Sequence, residues 1–176
     1  MINIKIKLFL LLATLFFFLL LRYQGNDLIQ QPYAPKGIVS LEFAPSAMAT
    51  GEVISGYLGD GLISKTRQNI LIDFFFIPFY AMLFYTLAGS ISVRLKGKAA
   101  TAGVLLAFFS LIAGVFDVLE NILMLLATYE LYNDLTAILT SGFAAVKFLL
   151  LLLALGYIIL FGAFVIMKRK ISPAIR

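Results

Sequence analysis

Residues 99–128 read AATAGVLLAFFSLIAGVFDVLENILMLLAT, and this stretch decides the fold. A helix needs about 20 apolar residues to cross a bilayer, so the stretch is long enough. Yet Asp117, Glu120 and Asn121 lie inside it. A charged side chain at the centre of such a helix costs roughly 2.5 to 3.5 kcal/mol. We therefore expect these groups to pair with others, to line a cavity or to do chemistry.

The three polar residues stand at positions i, i+3 and i+4, which lie on one face of a helix. Small or polar residues continue this face in both directions, whereas the opposite face is Leu, Ile, Val and Phe. The polar face comprises Ser110, Ala113, Gly114, Asp117, Glu120, Asn121, Met124 and Thr128. Small residues let helices approach closely in lipid. We predict that this face points into a helix bundle and that the aliphatic face contacts lipid.

The composition indicates an integral membrane protein. Hydrophobic residues make up 62% of the 176 residues and charged residues only 13%, against roughly 25% charged in soluble domains. The net charge of +5 lies mainly beside the apolar runs, which is typical of a topology signal and not of a nucleic-acid binder. The chain has no Cys and no His, which excludes disulfides, thiol catalysis and Cys/His metal sites. We predict no cofactor, no metal site and no catalytic residue.

Four membrane spans follow from the apolar runs. The first run, residues 8–21, has the length of a signal sequence, but no small residue except Gly25 follows it as a cleavage site. Extended to residues 4–22, with Lys5 and Lys7 reaching toward the surface, it is long enough to cross as an uncleaved anchor. The other spans are span 2 (residues 70–93), span 3 (residues 99–128) and span 4 (residues 135–167). The predicted fold is an all-α integral membrane protein, a four-transmembrane-helix bundle in a single domain.

Basic residues predict the orientation, because loops with Lys and Arg tend to be cytoplasmic. The loop at 94–98 is basic, as are the N-terminal flank and the tail at 168–176, whereas the loop between the last two spans has no Lys or Arg. We expect both termini in the cytoplasm and the long loop at 23–69 outside.

The long loop contains two candidate elements. Residues 37–44 can form a short strand or the opening of a helix. Pro45 and Ser46 are typical of a helix start, and the glycines after Leu58 are typical of its end. The apolar residues of this second element predict a helix that lies on the membrane surface.

Further polar residues can join the carboxylates of span 3. By a rise of about 1.5 Å per residue, Lys147 reaches the depth of Asp117 or Glu120, and we predict an ion pair with one of them. Asp73 lies near the start of span 2, where it can reach the site or the interface. Tyr80 can bond inward or anchor at an interface, and anchoring is favoured. Glu42 is a possible contributor from the loop.

The predicted site holds more acid than base. If Asp73, Asp117 and Glu120 were all ionised against Lys147, a net negative charge would remain. In a dry setting, either one or two carboxyls bind a proton, or a cation or cationic partner enters. The alternative is that a neutral carboxyl bonds to Asn121 or to the backbone and only stabilises the bundle.

Three segments carry a resemblance to known proteins: residues 37–44 (GIVSLEFA), 73–80 (DFFFIPFY) and 116–121 (FDVLEN). With them, the chain after the first span resembles bacterial multi-pass inner-membrane proteins of no assigned function. The resemblance implies a bacterial inner membrane and implies no activity.

Three functions fit these features. The favoured one is a small non-enzymatic accessory or assembly subunit of a membrane complex, since no nucleophile and no soluble domain are present. The second is proton- or cation-coupled transport, because carboxylates inside a membrane mark proton paths. The third is a membrane enzyme that acts on a lipid by carboxyl acid–base chemistry. The expected partners are the lipid bilayer and another membrane protein or a second copy, and not nucleic acid.

Overall fold

The computed structural model describes residues 3–29 and 31–171, with side chains to residue 168. Every regular element within these residues is an α-helix. The helices are α1 (Ile4–Gln24), α2 (Asn26–Ile29), α3 (Ile38–Glu42), α4 (Ala47–Gly59), α5 (Ile63–Ser92), α6 (Lys98–Ala127) and α7 (Asp134–Ile171). Four of them, α1, α5, α6 and α7, are long and apolar enough to cross a membrane. The chain is therefore an all-helical protein whose long helices fit a membrane bundle.

The four long helices do not contribute equally to the bundle. Helix α6 packs between α5 and α7, and α5 also touches α7, so these three form the core. Helix α1 packs mainly on α5, through Phe17, whose ring stacks on Phe79 with centroids 5.3 Å apart. Only Leu10 of α1 is buried. Helix α1 is thus a peripheral helix, and one side of it faces a space beside α7.

The buried face of α6 is the polar face predicted from the sequence. All eight residues of that face are buried, together with three further small residues: Gly103 and Ala107, which extend the face toward the start of α6, and Ala127, which lies between Met124 and Thr128. Leu105, Phe108, Ile112 and Leu119 on the other sides are exposed. Small side chains at the contact let the helices pack closely, which is the packing that lipid favours.

The segment between α1 and α5 forms a compact cap over one end of the bundle, which we name the cap end. Its own apolar core includes Leu28, Leu41, Ile54 and Tyr57, and it continues onto Ile70 at the start of α5. The cap is also tied to α7, where Ser141 donates to the Ala44 carbonyl at 2.9 Å and the Ala47 amide donates to Asp134 at 2.7 Å. The opposite end of the bundle holds residues 93–97 and the N-terminal end of α1.

The sequence left a strand and the opening of a helix as alternatives for residues 37–44, and residues 38–42 form a short helix. The second element is a helix capped by Ser46, whose hydroxyl accepts from the Ala49 amide at 3.2 Å. Of the apolar residues expected to lie on a membrane surface, Met48 and Leu58 are exposed and the others are not. Val53, Ile54 and Tyr57 are buried in the cap, because a folded cap removes them from water more completely than a lipid surface would.

Helix boundaries also differ from the predicted spans. Helix α5 begins at Ile63, seven residues before the predicted residue 70, because the polar residues 64–69 continue the helix into the cap. Within it, Thr66 and Asn69 are buried and make hydrogen bonds. Helix α7 runs to Ile171, and the rest of the predicted basic tail, residues 172–176, lies outside the described residues.

Candidate functional site

Lys147 of α7 is at the centre of a cluster of carboxylates. Its ammonium lies 2.7 Å from Asp117 Oδ1 and 2.9 Å from each carboxylate oxygen of Glu120. All three side chains are at least 95% buried. The sequence predicted one ion pair with either acid, whereas Lys147 contacts both, because Asp117 and Glu120 are one helical turn apart on the same face of α6.

Asp117 has a second partner on α5. The Tyr80 hydroxyl donates to Asp117 Oδ2 at 2.6 Å, and Tyr80 is buried. One carboxylate therefore accepts from an ammonium and from a phenol, on helices on either side of α6. The expectation that Tyr80 anchors at an interface was wrong, because its position on α5 faces the polar face of α6.

Asp73 belongs to the same cluster. The Asn121 side-chain amide donates to Asp73 Oδ2 at 2.7 Å. Since α5 begins at Ile63, Asp73 lies about 15 Å along the helix at 1.5 Å per residue, and the turns before it, residues 64–69, belong to the part of α5 that extends into the cap. Asp73 and Asp117 thus lie near each other with different hydrogen-bond donors.

Glu42 reaches the cluster from the cap. Its Oε2 atom lies 3.8 Å from the Lys147 ammonium, and the side chain is buried. Helix α3 points it there because Gly37 turns the chain with φ +63°, in the left-handed region that favours glycine. Burial raises the pKa of the Glu42 carboxyl, with a further upward contribution from Asp117 and a downward one from Lys147.

A cavity of about 380 Å³ opens beside this cluster. It lies between α1, α3, α5, α6 and α7, in the space that the peripheral position of α1 leaves open. Its walls are mostly apolar, and its polar lining includes Glu42, Asp73, Tyr80, Asp117, Asn121 and Lys147. Glu120 does not line the cavity. A volume of 300–1,000 Å³ with apolar walls and a few convergent polar groups is typical of a small-molecule site.

Among the described residues, two buried acceptors of the cluster belong to cavity-lining residues and have no hydrogen-bond partner. They are Glu42 Oε2 and Asn121 Oδ1, on side chains that are 7% and 0% exposed. Buried polar atoms are rarely left unpaired, because each costs about 1–3 kcal/mol. Glu42 Oε2 faces the Lys147 ammonium at 3.8 Å, and both atoms have almost no accessible surface, so they are acceptors enclosed within the cluster.

Basic side chains line the rim of the cavity at the cap end. Arg22 ends α1 and Lys36 precedes α3, and both line the cavity while exposed to solvent. Among the described residues neither forms a salt bridge. The carboxylates Glu42, Asp73 and Asp117 form the side of the cavity that we call its floor. The cavity is thus acidic at its floor and basic at its rim.

The structure brings together all five predicted site residues, Asp73, Asp117, Glu120, Asn121 and Lys147, and adds the loop contributor Glu42. Sequence reasoning missed the roles of Arg22 and Lys36, and it undervalued Tyr80. Spacing along one helix could not reveal them, because they approach from three different segments. The Asp73-to-Tyr80 interval of seven residues, two helical turns, was the one signal that could have placed Tyr80 on the same face as Asp73.

No protein-family model, curated protein sequence or solved structure matched this chain when it was compared with known proteins. The function is therefore argued from the geometry of the site.

Proposed function

We propose that this chain is an integral membrane protein that binds a lipid or similar amphiphile in the cavity beside Asp117. The observation that carries the proposal is the cavity of about 380 Å³, with apolar walls and a polar floor. It lies within a bundle of membrane-length helices, so a molecule in the bilayer can reach it laterally past α1. The sequence alone favoured an accessory subunit, and the apolar walls of the cavity move the preference to binding of an amphiphile.

The layout of polar and apolar groups supports an amphiphile. The polar cluster lies toward the cap end, whereas the apolar residues Phe84 and Leu151 line the cavity farther from it. A polar head group among the carboxylates and an apolar chain along the second set would both meet matching surroundings. A fully polar solute would leave the aromatic and aliphatic walls unmatched.

Native mass spectrometry of the protein in mild detergent tests the proposal. We expect one bound mass in the range of a lipid. Thr14→Phe fills the cavity and should remove the adduct, whereas Leu15→Phe, which introduces the same side chain on the exposed side of α1, should keep it. An adduct that is absent from the native protein, or equally retained in both variants, would contradict lipid binding in the cavity.

Acid–base chemistry on that lipid is the second candidate function. Asp73 and Asp117 line the same cavity but have different donors, an amide for one and an ammonium with a phenol for the other. Two carboxyls in different surroundings can act as acid and base. Chemical conversion of the bound lipid over time, lost in Asp73→Asn, supports this function, and an unchanged lipid contradicts it.

The accessory-subunit and transport hypotheses are tested in the same preparations. A stoichiometric second protein in the mass spectrum would support a subunit role. Carbodiimide labelling of Glu120 that varies with pH would support proton-coupled transport. The cavity favours neither over lipid binding, since neither needs an apolar chamber of this size.

We also propose the orientation that the basic residues predict, with both termini in the cytoplasm, the cap end outside and the protein in a bacterial inner membrane. The chain has no cysteine, so single exposed cysteines report sidedness directly. Glu52→Cys in the cap should react with an impermeant maleimide in intact cells, and Lys96→Cys should react only after lysis. The opposite pattern would reverse the orientation.

A further inference from the structure

We infer that the ligand is a single-chain amphiphile that ends in a phosphate and carries an O–H or N–H donor between the phosphate and the chain, as lysophosphatidate does. The phosphate lies at the basic rim, the donor lies at Asp73, and the hydrocarbon chain lies along the apolar wall beyond. This inference rests on the proposed function and names the chemical class of the ligand.

Asp73 is the acid of the cluster that a ligand can contact. Its side chain is partly exposed, whereas the three carboxylates that pair with Lys147 are buried. Asp73 itself has no ion pair within the part of the chain that the structure describes. Asn121 donates to its Oδ2 atom, and no group of the described residues donates to Oδ1. Since Asp73 lines the cavity, its carboxylate offers an acceptor to an O–H or N–H group of the ligand.

The rim selects an anion. Arg22 and Lys36 line the cavity while exposed, and neither has a carboxylate partner among the described residues. Guanidinium and ammonium groups bind phosphate oxygens through charge-assisted hydrogen bonds. Water and salt at the exposed rim screen the phosphate from the buried acids. An amphiphile without an anionic group would leave both cations without a counter-charge.

The cavity presents these groups along α5 in the order in which such a molecule carries them. Asn69 marks the level of the rim, because its amide donates to the carbonyl of Leu21, next to Arg22. Asp73 follows one turn later, about 6 Å along the axis, and Phe84 lines the cavity about 16 Å beyond Asp73. Phosphate, donor and chain therefore meet the rim, Asp73 and the apolar wall in sequence, and no part of the molecule has to fold back.

The size of the cavity suits one hydrocarbon chain. A methylene group fills about as much space as a water molecule in the liquid, ~30 Å³, so a cavity of about 380 Å³ holds roughly a dozen such groups. The wall beyond Asp73 includes Phe18, Phe76 and Leu151. Tyr80 and Asp117 also lie there, but both are buried and hydrogen-bonded to each other, so they present little polar surface to the chain.

The test is a titration of the delipidated full-length protein, read by native mass spectrometry. Three probes share one acyl chain: lysophosphatidate, its deoxy analogue, which lacks only the hydroxyl, and monoacylglycerol, which lacks the phosphate. We expect lysophosphatidate to bind about tenfold tighter than either, the usual effect of one hydrogen bond to a charged group. Sphinganine 1-phosphate, whose donors include an ammonium, identifies the donor. Tighter binding than lysophosphatidate assigns an N–H group, and weaker binding assigns an O–H group.

Variants separate the two contacts of the head group. Asp73→Leu should remove the preference for lysophosphatidate over its deoxy analogue, and retained binding of the analogue shows that the variant is folded. Glu52→Leu, at an exposed glutamate of α4, should keep the preference. Lys36→Gln on the rim should weaken the binding of every phosphate probe, whereas Lys96→Gln, at an exposed lysine near the opposite end of the bundle, should not.

The outcomes distinguish this inference from the proposed function. Equal affinity for lysophosphatidate and its deoxy analogue, or an unchanged preference in Asp73→Leu, overturns the donor at Asp73. Monoacylglycerol that binds as tightly as lysophosphatidate overturns the phosphate at the rim. Both results leave amphiphile binding standing. Binding of none of the probes, or binding that is insensitive to Thr14→Phe, overturns the proposed function itself.

Discussion

Replacement of Lys147 by Met tests whether the buried cluster holds the bundle together. The substitution keeps an unbranched side chain of similar size and removes the ammonium that lies 2.7 Å from Asp117 and 2.9 Å from Glu120. Two buried carboxylates then lose their counter-charge, and loss of one partner of a buried pair costs about 3–5 kcal/mol. For a protein of this size that corresponds to a fall in Tm of about 6 to 20 °C.

The assay is thermal unfolding of the fluorescently tagged protein in detergent, read as the folded fraction by size-exclusion chromatography. Lys65→Met is the matched control, because Lys65 pairs with Asp27 where the two side chains are 33% and 57% exposed. Exposed pairs contribute about 0–1 kcal/mol, so the control should lower Tm by at most about 4 °C.

A rescue experiment separates lost charge balance from lost packing. Lys147→Met combined with Asp117→Asn and Glu120→Gln neutralises the partners, and replacement of a whole buried ionic group by neutral side chains is often close to neutral in stability. We expect the triple variant to recover most of the lost Tm. The reasoning would be refuted if Lys147→Met melted at the same temperature as Lys65→Met. It would also be refuted if the triple variant were no more stable than Lys147→Met.

Two further predictions concern neighbouring contacts. Tyr80→Phe removes the hydrogen bond to Asp117 and should lower stability by about 1–3 kcal/mol, measured by the same thermal assay, and an unchanged Tm would show that this bond contributes nothing. Gly103→Ala would place a methyl group 2.1 Å from the Tyr157 hydroxyl, so we expect a loss of about 1–3 kcal/mol from overpacking. Gly156→Ala, where nothing lies within 4 Å, should be neutral or up to about 1 kcal/mol stabilising. Equal Tm changes for the two glycine variants would contradict the close packing of α6 on α7.

The polar face of α6 was readable from the sequence because it depends on the period of one helix. The residues from Ser110 to Thr128 that share a face remain together in any packing of that helix, and the cost of burying Asp117 in lipid turns the face inward. The meeting of Lys147 with these acids was also foreseeable, since the rise per residue sets its depth along α7.

The cap was predicted less well. The start of α4 at Ser46 follows from capping chemistry, which is local. The burial of Val53 and Tyr57 in the cap depends on contacts with α2 and with the start of α5. Such contacts join segments that are far apart in the chain, and no local pattern reveals them. From the sequence alone, an apolar helix in a loop is therefore equally consistent with burial in a cap and with a position on a membrane surface.

The sequence by itself determined that the chain is helical, that four helices have the length and apolarity to cross a membrane, and which face of α6 is polar. These follow from composition and period, since lipid requires every backbone group to bond within its own helix. The tertiary structure alone decided that α1 is peripheral, that Glu42 and Tyr80 join the cluster, and that a cavity with an acidic floor and a basic rim lies beside it. The physical reason is that lipid provides little hydrophobic drive between helices, so their arrangement depends on the fit of particular side chains across segments and not on any pattern within one of them.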